Sequence, residues 1–365
     1  MKKLFQLMLV CGGLAIMNSC NNKDGCEELT CLYDGLCVEG GCVCQDGLTG
    51  PNCEIESFDN GVFVLHEGNF QGGNATVSFF LKDHLTMANG VFSTVNGVPL
   101  GDVGQSIEII GNKAFIVVNN SGKIEVVSLD DFRSAGKIEG LSSPRYIAVL
   151  SANKAYVSDL FSGVISAFNP ADLSLLGTIS VNGQVEQMVV VGNRLIAAGT
   201  GANYVYSIDS NSDALIDSVN VGVGPSNLVV DSNGKVWVLT NGGYGTEVPK
   251  LVRIDPTTLN VELTLDFPST DNYPGNLEVS GDGNTLYYVD GQVYQMDITS
   301  NSLPTAPFAL AFAYKCGIDP VDDVVYVSDA GDFNSNGKVY RYQSNGTPID
   351  TFSVRVIPAE YAFTE

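Results

Sequence analysis

Ser226-Asn-Leu-Val-Val-Asp-Ser-Asn-Gly-Lys-Val-Trp-Val-Leu-Thr240, followed by Lys250-Leu-Val-Arg-Ile-Asp-Pro256, decides the fold. It holds three short apolar strands. The first two are separated by an Asp/Asn/Gly turn, and the third ends on Asp-Pro. Such turns suit Gly and Asn, which tolerate positive φ or bond their own backbone. The second strand has copies along the chain: Gly61-Val-Phe-Val-Leu65, Lys113-Ala-Phe-Ile-Val-Val118, Lys154-Ala-Tyr-Val-Ser158, Arg194-Leu-Ile-Ala-Ala198, Thr285-Leu-Tyr-Tyr-Val289 and Val324-Val-Tyr-Val-Ser328. From Lys113 onward the starts differ by 41, 40, 41, 50 and 39 residues. A fourth strand such as Leu176-Gly-Thr-Ile-Ser-Val181 closes each unit. Four short antiparallel strands per unit of this length is the pattern of a β-propeller blade. Seven copies predict an all-β, seven-bladed β-propeller over residues 58–365. The first copy lacks an inner strand, and Pro358-Ala-Glu-Tyr-Ala-Phe-Thr364 has the pattern of the missing one. The C-terminal strand is therefore expected to close the ring.

Composition agrees. The chain of 365 residues is 44% hydrophobic and only 16% charged, which excludes a disordered acidic tail. Its net charge of −23 argues against nucleic acid as a partner, since phosphate contacts need clustered Lys and Arg. Eight of nine cysteines precede residue 54. Cys26, Cys31, Cys37, Cys42, Cys44 and Cys53 read as a disulfide framework, because so small a segment cannot bury enough apolar area unaided. Six cysteines allow 15 pairings. The ninth cysteine, Cys316, lies in an inner strand and reads as a buried, inert thiol.

At the N-terminus, Lys2 and Lys3 precede an apolar Leu4–Met17 run too short for a membrane span. Met17-Asn-Ser-Cys20 resembles the lipobox of bacterial lipoproteins. That resemblance implies a signal peptide over 1–19, acylation of Cys20, a lipidated linker over 20–25 and an outer-membrane lipid anchor. The spacing C-x4-C-x5-C-x4-C-x-C-x8-C with Gly47-Leu-Thr-Gly-Pro-Asn-Cys53 resembles an EGF module over 26–54. The family implies Cys26–Cys37, Cys31–Cys42 and Cys44–Cys53, and a role as rigid spacer.

Val325-Tyr-Val-Ser-Asp329 and the Asp-Pro strand ends resemble YVTN-type propellers. His66-Glu-Gly-Asn-Phe70, Pro99-Leu-Gly-Asp-Val-Gly-Gln-Ser-Ile107, Val118-Asn-Asn-Ser121 and Ser143-Pro-Arg-Tyr-Ile147 resemble surface lipoprotein propellers of Gram-negative bacteria. Some members of that group capture corrinoids for a TonB-dependent outer-membrane transporter. The resemblance implies exposure at the cell surface and, more loosely, nutrient capture with such a transporter as partner.

In a propeller the top face collects the ends of second strands and the starts of inner strands. The ends are Glu67, Asn69, Phe70, Asn119, Asn120, Asp159, Phe161, Thr200, Asn241, Tyr244, Asp290, Asp329 and Phe333. The starts are Asp102, Gln105, Arg145, Tyr146, Glu186, Gln187, Ser226, Asn227, Tyr273, Asn276, Tyr314, Lys315, Glu360 and Tyr361. Amides and aromatics converging on a concave face suit a large polar ligand. Taken singly, Asn and Asp after a strand more often serve turns. A protein-recognition or adhesion module is the second reading. A propeller lactonase is the third, with Glu67, Asn119 and Asp159 imitating its cation site. Two histidines, His66 at the rim and His84 in an exposed turn, leave little for acid/base or metal chemistry. No cofactor or resident metal is expected.

Overall fold

A computed structural model describes residue 26, residues 29–309 and residues 311–365. The leader and Cys20 lie outside the described residues. Seven sheets are arranged in a ring, and contacts between successive inner strands run unbroken around it. Blade 1 is Pro358–Thr364, Gly61–His66, Thr76–Leu81 and Thr86–Ala88, listed from the axis outward. The chain's last strand is thus the inner strand of its first blade. It pairs antiparallel with Gly61–His66, from Pro358 opposite His66 to Thr364 opposite Gly61. Thr364 Oγ1 also accepts from Gly61 N at 2.9 Å. The expected latch is present.

Blades 2 to 5 and blade 7 each run inner to outer in sequence order. Their inner strands are Gly104–Ile110, Pro144–Ser151, Met188–Val191, Pro225–Val230 and Lys315–Ile318. Second strands lie between neighbouring sheets and are buried on both faces. All of Gly61–His66 and of Val236–Thr240 is buried, which is why these runs are apolar without alternation. Outer strands such as Ala214–Asn220 are largely exposed.

Blade 6 departs from the repeat. It has three strands, Gly275–Val279, Thr285–Asp290 and Gln292–Asp297, and a lone bridge Val293–Ala309 where the outer strand was expected. Pro304 and Pro307 lie in that segment. Lacking N–H donors, they cannot sustain a ladder. A short helix, Val91–Asn96, also interrupts the β pattern between blades 1 and 2.

The disulfides are Cys26–Cys37, Cys31–Cys42 and Cys44–Cys53, the pairing the EGF resemblance implies. The module is docked on the lower edge of blade 1 rather than standing off as a spacer. Tyr33, Leu48 and Cys53 share one core with Phe58, Phe63, Phe79 and Phe132. Within it Phe63 lies 4.7 Å from Phe79 and 5.0 Å from Phe132, ring centre to ring centre. Thr86 Oγ1 donates to Asp46 O at 2.8 Å. His84 is the exposed turn residue expected, and its Nδ1 lies 3.5 Å from Asp46 Oδ2 of the module.

Candidate functional site

Inner strands begin at the top of the ring, so their first side chains meet around the channel mouth. Several bond across blade boundaries. Gln105 of blade 2 donates from Nε2 to the Tyr146 hydroxyl of blade 3 at 3.1 Å, and its Oε1 accepts from Arg145 Nη1. Arg145 Nε reaches Glu186 Oε2 at 2.9 Å, just before the blade 4 inner strand. Gln187 Oε1 accepts from Leu228 N of blade 5 at 2.9 Å and from Asn227 Nδ2 at 3.3 Å. Asn276 Oδ1 of blade 6 accepts from Cys316 N of blade 7 at 2.6 Å. The Tyr314 hydroxyl donates to Glu67 Oε1 of blade 1 at 2.9 Å.

Between blades 5 and 6 the top opens instead into a cavity of about 480 Å³. Its wall is built by two long loops. The first is Asn241-Gly-Gly-Tyr-Gly245, in which residues 242–245 all have positive φ: 68°, 63°, 59° and 86°. A side chain at Gly242 would place Cβ 2.2 Å from Glu247 O, so the turn needs glycine. The turn pushes the Tyr244 ring outward, 83% exposed, and onto Tyr273 of the second loop at 5.0 Å between centres. The remaining wall includes Arg145, Tyr146, Glu186, Ser226, Asn227, Asp271, Pro274, Asn276, Asp290, Phe312, Tyr314 and Lys315. Many of its polar atoms are already used. Asp290 accepts from Asn272 Nδ2 at 2.7 Å and from Tyr273 N at 3.0 Å. Asn276 Nδ2 donates to Glu278 Oε1 at 2.9 Å.

Electrostatics at the mouth are set by charges held in a narrow channel. Burial pushes the Glu108 carboxyl up to about 7, assisted by Glu360. Burial likewise raises Glu278 and Glu360 above the ordinary carboxylate range, partly offset by Lys315. Glu67 is raised by burial against the pull of Lys315 and the Tyr314 bond. For Lys315, burial opposes the charge, but Tyr146, Tyr314, Glu360 and Glu67 together outweigh it and hold the ammonium protonated.

Of the predicted face, Arg145, Tyr146, Glu186, Ser226, Asn227, Asn241, Tyr244, Tyr273, Asn276, Asp290, Tyr314 and Lys315 come together on this cavity. Others lie elsewhere. Asn119 donates to Ser143 Oγ and Pro144 O, both at 2.9 Å, and ties blades 2 and 3. Asn120 bonds Asp102 Oδ2 at 2.6 Å. Asp159 accepts from Ser143 N, Phe161 N and Ser162 N, and Asp329 from Gly331 N, so both cap turns. Asn69 holds Phe333 O at 2.7 Å. Phe70 and Phe161 stand exposed on the rim. Tyr361 is buried between blades 7 and 1 against Tyr326, its hydroxyl bonded to Ser328 Oγ. His66 is not a rim residue. It is sealed inside blade 1, with Nε2 2.9 Å from Ser78 Oγ. Glu67, Asn119 and Asp159 are thus each committed to separate partners, and no group of three or more His, Cys, Asp or Glu among the described residues could hold a metal ion. Asp271 and Phe312 were missed, because each sits on an irregular loop outside the repeat. Trp237 is blade core, donating to Asp231 Oδ2 at 2.9 Å.

The fold resembles solved propellers. A quinonprotein alcohol dehydrogenase-like protein from Bacteroides thetaiotaomicron superposes with a TM-score of 0.68 at 15% identity, covering 85% of this chain and 79% of the other. A protein from Lactobacillus plantarum gives 0.64 at 15% identity, covering 84% and 100%. The WD40 propeller domain of Doa1 gives 0.56 at 14% identity, covering 77% and 91%. At such identities the likeness is one of fold. No curated protein matches the sequence. Residues 60–364, the whole ring, match the family model described as a domain of unknown function, DUF5074, and the chain belongs to that family.

Proposed function

We propose that this chain is an exported, lipid-anchored binding protein whose top-face cavity captures an extracellular ligand for delivery to an outer-membrane transporter. The observation that carries this reading is the cavity walled by Tyr244, Tyr273 and Tyr314 at the mouth of the ring, of a size typical for small-molecule sites. Two others support it. The leader pattern and Cys20 match an exported lipoprotein, and disulfides belong to oxidising compartments. The disulfide module packs on the lower edge of blade 1, away from the cavity mouth. A corrinoid or similarly large polar nutrient is the ligand class we favour, and catalysis has no assigned role. Calorimetric titration of the leaderless protein with cobalamin, haem and a ferric siderophore tests the reading. Saturable one-to-one binding of one of them, weakened about tenfold or more by Tyr244→Ala, is expected. Silence with all three would overturn nutrient capture of this class. Recognition of a protein is the second reading, favoured by Phe70 and Phe161, which stand exposed outside the cavity. Pull-down with surface proteins that depends on these two residues would support it.

A further inference from the structure

The cavity's hydrogen-bonding capacity is lopsided. Most of its amides and carboxylates are spent internally: Asp290, Asn227, Asn276 and Glu186 each bond a neighbour. Two cationic side chains keep donors to spare. Arg145 is pinned through Nε to Glu186 and through Nη1 to Gln105, and among the described residues its Nη2 has no hydrogen-bond partner. Lys315, from the blade 7 inner strand, lines the same cavity. Among the described residues its ammonium has no hydrogen-bond or ion-pair partner, and Nζ lies 5.9 Å from the centre of the Tyr314 ring. The nearest carboxylates do not quench it by contact. Glu67 is engaged by the Tyr314 hydroxyl, and Glu360 belongs to the neighbouring inner strand. A ligand seated here therefore meets Lys315, the Arg145–Glu186 pair and the flat Tyr244–Tyr273 stack within one cavity.

We infer that the ligand carries an oxyanion, a carboxylate or a phosphate ester, on a flat ring system, with the oxyanion between Lys315 and Arg145 and the ring against Tyr244 and Tyr273. This rests on the capture reading above and narrows its ligand class. Charge-assisted bonds of this type are about twice as strong as neutral ones, and an Arg edge paired with a Lys matches oxyanion geometry. The chain's charge of −23 does not forbid it. Exposed charges beyond a screening length of about 8 Å are largely masked, so the wall itself decides, and Lys315 is its one charged residue without a hydrogen-bond or ion-pair partner among the described residues.

The test uses three matched probes, 2-naphthoate, 2-naphthyl phosphate and neutral 2-naphthamide, titrated into the purified chain. At least one anion should bind about tenfold or more tightly than the amide, and the tighter anion assigns carboxylate or phosphate. Lys315→Met should erase that preference while leaving amide binding in place. Tyr244→Ala, at an exposed position, should weaken anions and amide alike. Equal binding of amide and anions to the wild type would overturn the oxyanion anchor, whatever the variants do. If Tyr244→Ala still weakened them together, the cavity would stand as a binding site. A preference that survives in Lys315→Met would also overturn the anchor. Absence of binding by any probe would overturn the anchor and the cavity reading together.

Discussion

His66 sits at the end of a strand, where sequence alone places a side chain on the rim, yet it is wholly enclosed. Burial holds its imidazole down to about 3, against an ordinary value of 6.5. The unfolded chain therefore binds a proton that the fold excludes as pH falls below 6.5. Stability from this site is full above that value and is lost progressively as pH falls toward 3. His66→Gln should lose less stability than the wild type between pH 6.5 and 4 in urea titrations. Parallel stability curves would show that His66 carries no acid sensitivity. At this scale the sequence was half legible. Arg145, Tyr146, Asn227 and Lys315 could be placed because strand starts point into the channel mouth. Asn119, Asp159 and Asp329 illustrate the opposite case. A short polar side chain after a strand satisfies nearby donors and acceptors before it can serve a ligand. Phe312 and Asp271 carried no signal, because loop residues inherit no direction from the repeat.

Blades were readable because each second strand is packed on both faces, so its apolar run survives in every copy. The irregular spacing of 50 residues between the fifth and sixth copies held more than it first seemed to. The surplus is the pair of loops that carries Tyr244 and Tyr273, so this long interval in the repeat marks the cavity wall. Blade 6 hides its missing outer strand for a related reason. Its prolines are visible, but a blade that ends at three strands still fits the repeat length. The inner strand Pro358–Thr364 is the clearest test of the architecture. It is buried at most positions and pairs only with Gly61–His66. Deleting residues 358–365 should remove the cooperative thermal transition or lower its midpoint strongly, because it strips the inner edge of blade 1 and uncovers Val62, Val64 and Tyr326. An unchanged melting curve would mean that the ring closes without it.

The molecule as a whole is a ring with a disulfide module fused to its lower edge. The contact is narrow and specific: Gly47 lies so close to His84 that an added Cβ would come 2.5 Å from the ring, at a backbone φ of 81°. Gly47→Val should prise the module away. The expected result is faster proteolysis between Glu54 and Asp59 with the ring's own melting little changed. Equal cleavage rates would show that the contact does not hold the module down. The pairing of the cysteines was legible only through the EGF resemblance that their block carries. The docking was not, because it depends on Phe58, Phe63, Phe79 and Phe132 meeting across two blades.

Blade 1 also decides how the molecule bears force. The strand Gly61–His66 enters from the lower edge, beside the module, and the last strand ends at the same edge, with Thr364 opposite Gly61. Pulling the two chain ends apart would therefore unzip this ladder one bonded pair at a time. Tension between the segment preceding Gly61 and a ligand gripped at the top face runs along the strands instead. It loads the ladders on both sides of Gly61–His66 in shear, all bonds at once. A ring that opens easily by its ends is thus stiff along the line from the segment before Gly61 to the top face.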